Sequence, residues 1–555
     1  MAADSYRAIY EAFRWQVPAR FNIAHHACRR WAAADGERTA LLWEDEVGTR
    51  RSVTYAGLLR QACRFSNVLR AFGIARGDRV ALLLPQRPET VVAYLGCFQA
   101  GAIAVPLSFL FGPEALEYRL ADSGAKLAVV DGVTLANLEP VRDRLPALTH
   151  VIGAAGARGR SVLDWDATLA QAADDFEPVD TAASDPAAII YTSGTTGPPK
   201  GALLAHSVLL GNLPGFEHSH DGFPRDGDLF WSPADWAWTG GLWDALMPTL
   251  FHGKAILGYR GRFEPERALQ LMERHGVRNA FLFPTALKMM MKEIPDARLP
   301  GRLRLRSLMS GGEALSPAVF EWARGRLGVT VNEIFGQTEM NYIVGNSQAL
   351  WSVRPGSMGR PYPGHRIAVI DDAGAELPAG EVGDVALRRT WIDGTPDPIF
   401  FLGYWGQPEA TAAKYSGEWC RSGDEAAMDD AGYLWFRGRS DDVFKVSGYR
   451  VGPTEIENCL SRHPAVANCA VVPSPDATRG AVVKAFIVLA PGHAPSEALK
   501  ESIRGHVKMH LTPFQQPRAI EFVAELPMTT TGKVRRRALR ELEEARATSS
   551  GPPTA

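Results

Sequence analysis

The chain has 555 residues, with 60 Lys and Arg set against 62 Asp and Glu, a formal net charge of -2. At 46% hydrophobic and 22% charged, it excludes chain-wide disorder and is long enough for several compact units with their own cores. The near-zero charge argues against a general nucleic-acid binder or a polybasic membrane protein, and six scattered cysteines without a Cys-x-x-Cys pair point to a reducing cytoplasm.

Asp4, Arg7, Glu11 and Arg14 interrupt the start of the chain before an apolar run develops, so no signal peptide is expected. Residues 55–72 carry helical periodicity, 79–84 read as a strand, 87–100 as a helix, and 102–106 and 126–130 as strands. This alternation predicts βαβ units around a mostly parallel sheet. The uncharged stretch 91–112 is long enough to raise a membrane span, but Gln99, Gly101 and Pro106 break it. A buried helix, a glycine turn and a core strand are expected there instead. Residues 158–177 are weakly patterned and are expected to cross the surface. From 352 to 439, short strands such as 366–370 and 382–387 alternate with Gly, Pro and Asp turns and predict a β-rich subdomain.

Beyond residue 439 the pattern reads strand 469–472, strand 482–490, helix 496–510, strand 518–523 and helix 535–545. Leu499, Ile503 and Val507 form one stripe of the middle helix. The expected organisation is α/β: a large N-terminal domain, residues 1–440, of two βαβ-type subdomains plus the β-rich subdomain, then a small α+β domain, residues 441–546. Residues 547–555 read as a disordered tail.

The sharpest local signal runs from Tyr191 to Gly201, where an apolar strand leads into Thr192, Ser193, Gly194, Thr195, Thr196, Gly197, two prolines and Lys200. Glycines let successive backbone N–H groups face one concavity, and the hydroxyls and Lys200 add donors, so such a loop can hold phosphates. It is not the common P-loop, because Pro199 stands before the lysine. The string resembles the signature loop of the adenylate-forming superfamily, which includes AMP-forming acyl-CoA synthetases. That resemblance implies a loop around the β- and γ-phosphates of ATP.

Further motifs of that family follow in order. Gly312, Glu313 and Ala314 resemble the segment lying along the adenine. Glu333, Ile334, Phe335, Gly336, Gln337, Thr338 and Glu339 resemble its aromatic-Gly-x-Thr-Glu motif and approach. There the resemblance puts Thr338 on the α-phosphate and Glu339 on Mg²⁺, a cation that takes hard oxygen ligands. Ser422-Gly423-Asp424 looks like Thr-Gly-Asp, implying that Asp424 accepts from the ribose hydroxyls. In Gly438–Asp442, Arg439 would meet ribose or phosphate and Asp441 would be the hinge of a mobile C-terminal domain. Gly448, Tyr449 and Arg450 match the face swung toward nucleotide and thiol. Lys533 would be the catalytic lysine; alone, beside Arg535, Arg536 and Arg537, it would read as a solvated basic face. The resemblance covers residues 39–542.

The implied chemistry activates a carboxylic acid with ATP to an acyl adenylate and pyrophosphate, then transfers the acyl group to CoA with release of AMP. Carboxylate and α-phosphate repel, so Lys533, a compact charge with three donors, is suited to bridge them. Residues 232–241 resemble the family's substrate segment, with Trp238 as an aromatic gate and Gly240 beside it, lining up best with acetyl- and medium-chain acyl-CoA synthetases. Trp236 reads equally well as a core residue. Where acetyl-CoA synthetases carry a tryptophan, this chain has Gly336. The expectation is added room, an acid longer than acetate (short- or medium-chain, or aromatic), and a Gly336→Trp variant shifted toward acetate or propionate. His25, His26, His218 and His220 lack partners at metal spacing, and His206 is expected to support the phosphate loop.

The expected protein is thus a cytoplasmic acid–thiol ligase using ATP, Mg²⁺ and CoA, with no nucleic-acid partner and no membrane span. An adenylating enzyme that loads a carrier protein or other acceptor is the alternative; no carrier domain follows Lys533, which favours a free thiol. A nucleotide-binding protein without catalysis is disfavoured by the intact Lys533, Glu339 and phosphate loop.

Overall fold

The computed structural model describes residues 5–192, 198–294, 303–439, 442, 444–446, 449–476, 480–528 and 534–549. They form two compact units. The first runs to Leu315 and includes Val319–Arg366 and Leu387–Cys420; the second takes Ser316–Ala318, Ile367–Ala386 and the chain from Arg421 onward.

The first unit holds two sheets. In spatial order, one runs Gly403–Tyr404, Lys200–Ala205, Pro186–Thr192, Ile103–Pro106, Arg79–Leu83, Leu127–Val130, His150–Gly153, Val162–Asp164. The strands from Pro186–Thr192 to the far edge are parallel, and the first two pair antiparallel. The other runs Arg360–Pro361, Asn341–Gly345, Val331–Gln337, Ser307–Gly311, Asn279–Phe281, Leu229–Trp231, Ala255–Arg260, Thr39–Asp45, Arg50–Thr54. Its centre is parallel and its edges antiparallel, the common layout of large α/β sheets.

Local chemistry explains the elements. The helix Tyr55–Ala71 starts at Thr54, whose hydroxyl accepts from the Gly57 N–H at 3.1 Å. The helix Pro88–Ala100 has Pro at its first position and ends on Gly101 at φ 68°, a left-handed cap that glycine adopts without strain. Its residues from Thr90 onward are buried, and the strand Ile103–Pro106 follows, so the uncharged stretch is core. Among the described residues no helix is long and apolar enough to cross a membrane. Residues 158–177 are more ordered than their weak pattern implies: Asp164 caps the helix Trp165–Ala170, and Trp165 stacks on Phe65 at 5.2 Å. One large aromatic anchors a segment that periodicity cannot detect.

The second unit contains the strands Ile367–Ile370 and Leu434–Arg439 and most of Val382–Arg388 and Trp419–Met428, then a hairpin of Phe444–Val446 with Tyr449–Val451. A sheet of Val466–Asp476, Gly480–Leu489 and Ala519–Phe522 follows. Strand alternation sorts its core. Cys469 and Val471 pack with Ile456 of the helix Pro453–Leu460 and with Ile503 and Val507 of the helix Glu497–His510. Ala470 and Val472 face the opposite way, with Leu539 of the helix Arg536–Ser549. The eight-residue helix Pro453–Leu460 was not expected from the sequence pattern; its signal is Gly452-Pro453 at the start and Ile456, Cys459 and Leu460 at helical spacing.

Candidate functional site

The motif residues of the first unit leave the carboxyl ends of parallel strands, where open α/β sheets bind ligands. Residues 232–241 follow Leu229–Trp231, Gly312–Ala314 follow Ser307–Gly311, and Thr338–Glu339 follow Val331–Gln337. These three strands belong to the parallel centre of one sheet, so their ends open on a common edge.

In the other sheet, the buried run Ala187–Tyr191 leads to Thr192, paired antiparallel with Lys200. The phosphate-type loop therefore joins a hairpin, not a strand and a helix. Ser193, Gly194, Thr195, Thr196 and Gly197 lie outside the described residues. The flanks are anchored: Tyr118 donates to the Pro199 carbonyl at 3.0 Å, and Tyr191 donates to Asp122 at 2.6 Å. The Lys200 ammonium lies 5.1 Å from the Tyr404 ring centroid, and the Tyr404 hydroxyl donates to Glu339 Oε1. One tyrosine thus touches both the loop lysine and the expected metal carboxylate. Tyr404 was absent from the sequence-based site; the glycines at 403 and 406 are its only local cue.

Around Val331–Gln337, Glu333 is buried and accepts from the Leu315 N–H at 3.1 Å; burial pushes its carboxyl up to about 8. Lys414 donates to Gln337 Oε1 at 2.8 Å. Glu313 Oε2 accepts from Thr285 at 3.0 Å, and Gly312 sits at φ 92°, where only glycine is unstrained. Ile334 packs beneath this bend, because a Cβ on Gly311 would come within 2.5 Å of it. The Thr338 and Thr239 hydroxyls share a 3.1 Å hydrogen bond across 99 residues of chain.

That bond joins the nucleotide motif to an aromatic wall. Trp238 is half-buried and meets Phe111 edge-on at 5.7 Å. A Cβ on Gly240 would lie 3.0 Å from the Phe281 ring, so glycine allows this close approach. Trp236 is fully buried, and its carbonyl accepts from Tyr94 at 2.7 Å; it is a core residue. Asp235 is half-buried beside it, its carboxyl pushed up to about 6 by desolvation. His206 is also buried, pushed down to about 4, with its Nδ1 accepting from the Ile23 N–H. As a neutral imidazole it supports the strand end.

The room expected at Gly336 is absent. A Cβ there would lie 1.8 Å from the Asn341 carbonyl oxygen and 2.4 Å from Tyr342 Cα. The backbone of the neighbouring antiparallel strand fills the space, at a register shift between Phe335 and Gly336. The glycine lets two backbones meet; it does not open a pocket, and Gly336→Trp cannot serve as a graded change of chain-length preference.

In the second unit, Arg439 and Asp424 form an ion pair at 3.5 Å on paired strands. Ser422 Oγ accepts from the Asp424 N–H at 3.0 Å, and Asp384 accepts from the Gly423 N–H at 3.1 Å. Tyr449 and Arg450 lie on the hairpin strand opposite Val446 and Lys445. Asp441, Gly448 and Lys533 lie outside the described residues. Their neighbours are tied together: Asp442 pairs with Arg536 at 3.3 Å and Arg540 at 3.1 Å, and Arg536 also pairs with Glu457 at 2.6 Å. Arg536 is held between the carboxylates of Asp442 and Glu457.

Residues 28–405 match the family of AMP-binding enzymes, and residues 455–533 match the AMP-binding enzyme C-terminal domain. The chain is 34% identical to the acetyl-coenzyme A synthetase of Bacillus subtilis, over 97% of this chain and 95% of the relative. It is 34% identical to the mitochondrial acyl-coenzyme A synthetase ACSM3 of Mus musculus, over 97% and 93%. Among solved structures, the anthranilate CoA ligase AuaEII in complex with anthranoyl-AMP aligns with a TM-score of 0.87 at 30% identity, covering 96% of this chain and 99% of that one.

Proposed function

For a chain that belongs to the AMP-binding enzyme family and is an AMP-forming acyl-CoA ligase, we propose that the acid is apolar and larger than acetate, and that it meets ATP between Thr338 and Trp238. The observation that carries this reading is the Thr239–Thr338 hydrogen bond. A phosphate held at Thr338 lies next to the aromatic segment by construction, so an acyl chain on Trp238 and Phe111 would bring its carboxylate to that phosphate.

In the first half-reaction a carboxylate oxygen attacks the α-phosphorus, the bond to the bridging oxygen breaks, and pyrophosphate leaves with the electron pair. Lys200 and residues 192–197 would hold the β- and γ-phosphates; Gly312, Glu313, Ala314 and the strand Glu333–Gln337 would line the nucleotide. Lys533 would bridge carboxylate and α-phosphate, offsetting their repulsion. Glu339 would hold Mg²⁺: its carboxylate is a hard donor already oriented by Tyr404. When bound, Mg²⁺ neutralises phosphate charge. Asp424 would accept from the ribose hydroxyls, with Arg439 beside it. In the second half-reaction the CoA sulfur attacks the acyl carbonyl, AMP leaves, and the thiol proton passes to solvent. A rotation at Asp441 between domains 1–440 and 441–546 would exchange Lys533 for the Gly448–Arg450 face. Six cysteines scattered along 555 residues, without a Cys-x-x-Cys pair, support a reducing, cytoplasmic setting.

The relatives' names span acetate and anthranilate, so the acid is decided by the wall. Each methylene buried there is worth about 0.8 kcal/mol, which makes butyrate roughly 15-fold better than acetate in kcat/KM. The test is acid-dependent AMP release, with and without CoA, across acetate, butyrate, octanoate and benzoate. CoA-dependent turnover favouring the larger acids is expected; preference for acetate refutes the acid assignment, and CoA-indifferent adenylate release refutes the acceptor.

A further inference from the structure

We propose that Cys459, His506 and His510 form a binding site for a zinc-class divalent metal ion in the second unit. One ligand atom from each residue lies within 4.8 Å of the others. Tetrahedral zinc, with Zn–S about 2.3 Å and Zn–N about 2.0–2.1 Å, holds its donors roughly 3.4–3.7 Å apart. Closing the cluster therefore needs the side chains to draw in around the ion.

The histidines are four residues apart at the end of the helix Glu497–His510, on one face, and Cys459 comes from the helix Pro453–Leu460 packed against it. The hydrogen bonding selects the ligands. His506 Nε2 donates to the Cys459 carbonyl at 3.1 Å, and His510 Nδ1 donates to the His506 carbonyl at 2.7 Å. A neutral imidazole that donates from one nitrogen keeps a lone pair on the other. Pinning the second nitrogen to a backbone carbonyl is how proteins fix the tautomer of metal-bound histidine. His463 is the contrast. Its ring lies 5.5 Å from that of His506, yet its Nδ1 accepts from the Ala465 N–H and its Nε2 reaches Ser502 Oγ, both at 3.2 Å. Both nitrogens are engaged, so His463 supports the cluster without being a ligand, and water completes the coordination.

Cys459 is buried, and burial holds its thiol above the ordinary range, with Arg462 opposing and Glu455 adding to the rise. Binding replaces the S–H bond by a zinc–thiolate bond and releases one proton to solvent, so affinity falls as pH falls. The ion would clamp the two helices together.

The test uses the full, untagged chain stripped with a chelator and titrated with Zn²⁺ against a chromophoric competitor, then with Co²⁺. One equivalent of Zn²⁺ should bind, raising the unfolding midpoint, and Co²⁺ should give a thiolate-to-metal charge-transfer band. Cys459→Ser should abolish that band, and His510→Gln, at an exposed position, should weaken binding at least tenfold. Circular dichroism confirms that the variants fold. Wild-type binding no tighter than that of the Cys459→Ser/His510→Gln chain, or a cobalt spectrum without the thiolate band, overturns the site.

Discussion

Replacing Gly336 by alanine adds one methyl group and should damage the enzyme for every acid alike. The new Cβ would start 1.8 Å from the Asn341 carbonyl oxygen and must retreat by about 1.2 Å to reach 3.0 Å, the closest approach real Cβ atoms show. Its neighbours are backbone, so no side-chain rotation relieves the clash; the strands Val331–Gln337 and Asn341–Gly345 must separate. Overpacking typically costs 1–3 kcal/mol, and a backbone clash belongs at the upper end, about 3 kcal/mol. The same shift displaces Thr338, two residues on, from Thr239. A misplacement of about 1 Å at a reacting centre can cost about 100-fold. The assay is kcat/KM for acetate, butyrate and benzoate, with the unfolding midpoint measured alongside. The expected result is a uniform loss of about 100-fold and a lowered midpoint. A variant that keeps its stability and activity but switches toward acetate would show that position 336 faces the acyl chain, and the packing argument would fall.

Glu333→Gln should flatten the pH dependence of stability. With the folded carboxyl at about 8 against an ordinary 4.5, the unfolded chain releases this proton first, so stability falls between about pH 4.5 and 8, by an amount of order 5 kcal/mol; glutamine keeps an acceptor for the Leu315 N–H, and an unchanged slope in denaturant titrations across that window would count against a neutral Glu333. Thr338→Ala should lower acid-dependent pyrophosphate exchange by about 10²–10³-fold; an undiminished rate would remove Thr338 from the α-phosphate. Lys533→Ala should lose mixed-anhydride synthesis by a similar factor, read in the same exchange assay. Asp441→Pro should slow thiolation while pyrophosphate exchange stays near wild type; equal loss of both half-reactions would argue against a hinge.

Local signals reached the elements and the motif positions because both are written in short stretches of chain. Thr54 before a helical pattern, Gly101 after one, and the alternation of Cys469 to Val472 each act over a few residues, and the structure uses them in that way. What escaped depends on partners far away in sequence. Tyr404 matters because it touches Glu339, 65 residues earlier. Arg536 reads as one of three exposed arginines until Glu457 and Asp442 are brought against it, 79 and 94 residues away. Gly336 is the instructive failure: a glycine reads the same whether the missing side chain leaves a void or is replaced by another backbone, and only the register of the next strand decides.

The proposed nucleotide contacts would come from residues adjacent in sequence at single strand ends, so a short motif suffices to specify them. The proposed acyl wall would draw Trp238 and Gly240 from one segment, Phe111 from another sheet's connection and Phe281 from the end of a neighbouring strand. No stretch of chain encodes that surface; it exists once parallel strands bring their carboxyl ends to one edge. Substitutions at Phe111 or Phe281 should therefore change the preferred acid while leaving ATP binding intact, because neither residue sits in a nucleotide motif, whereas the Thr239–Thr338 bond couples the two surfaces and a change there is felt by both.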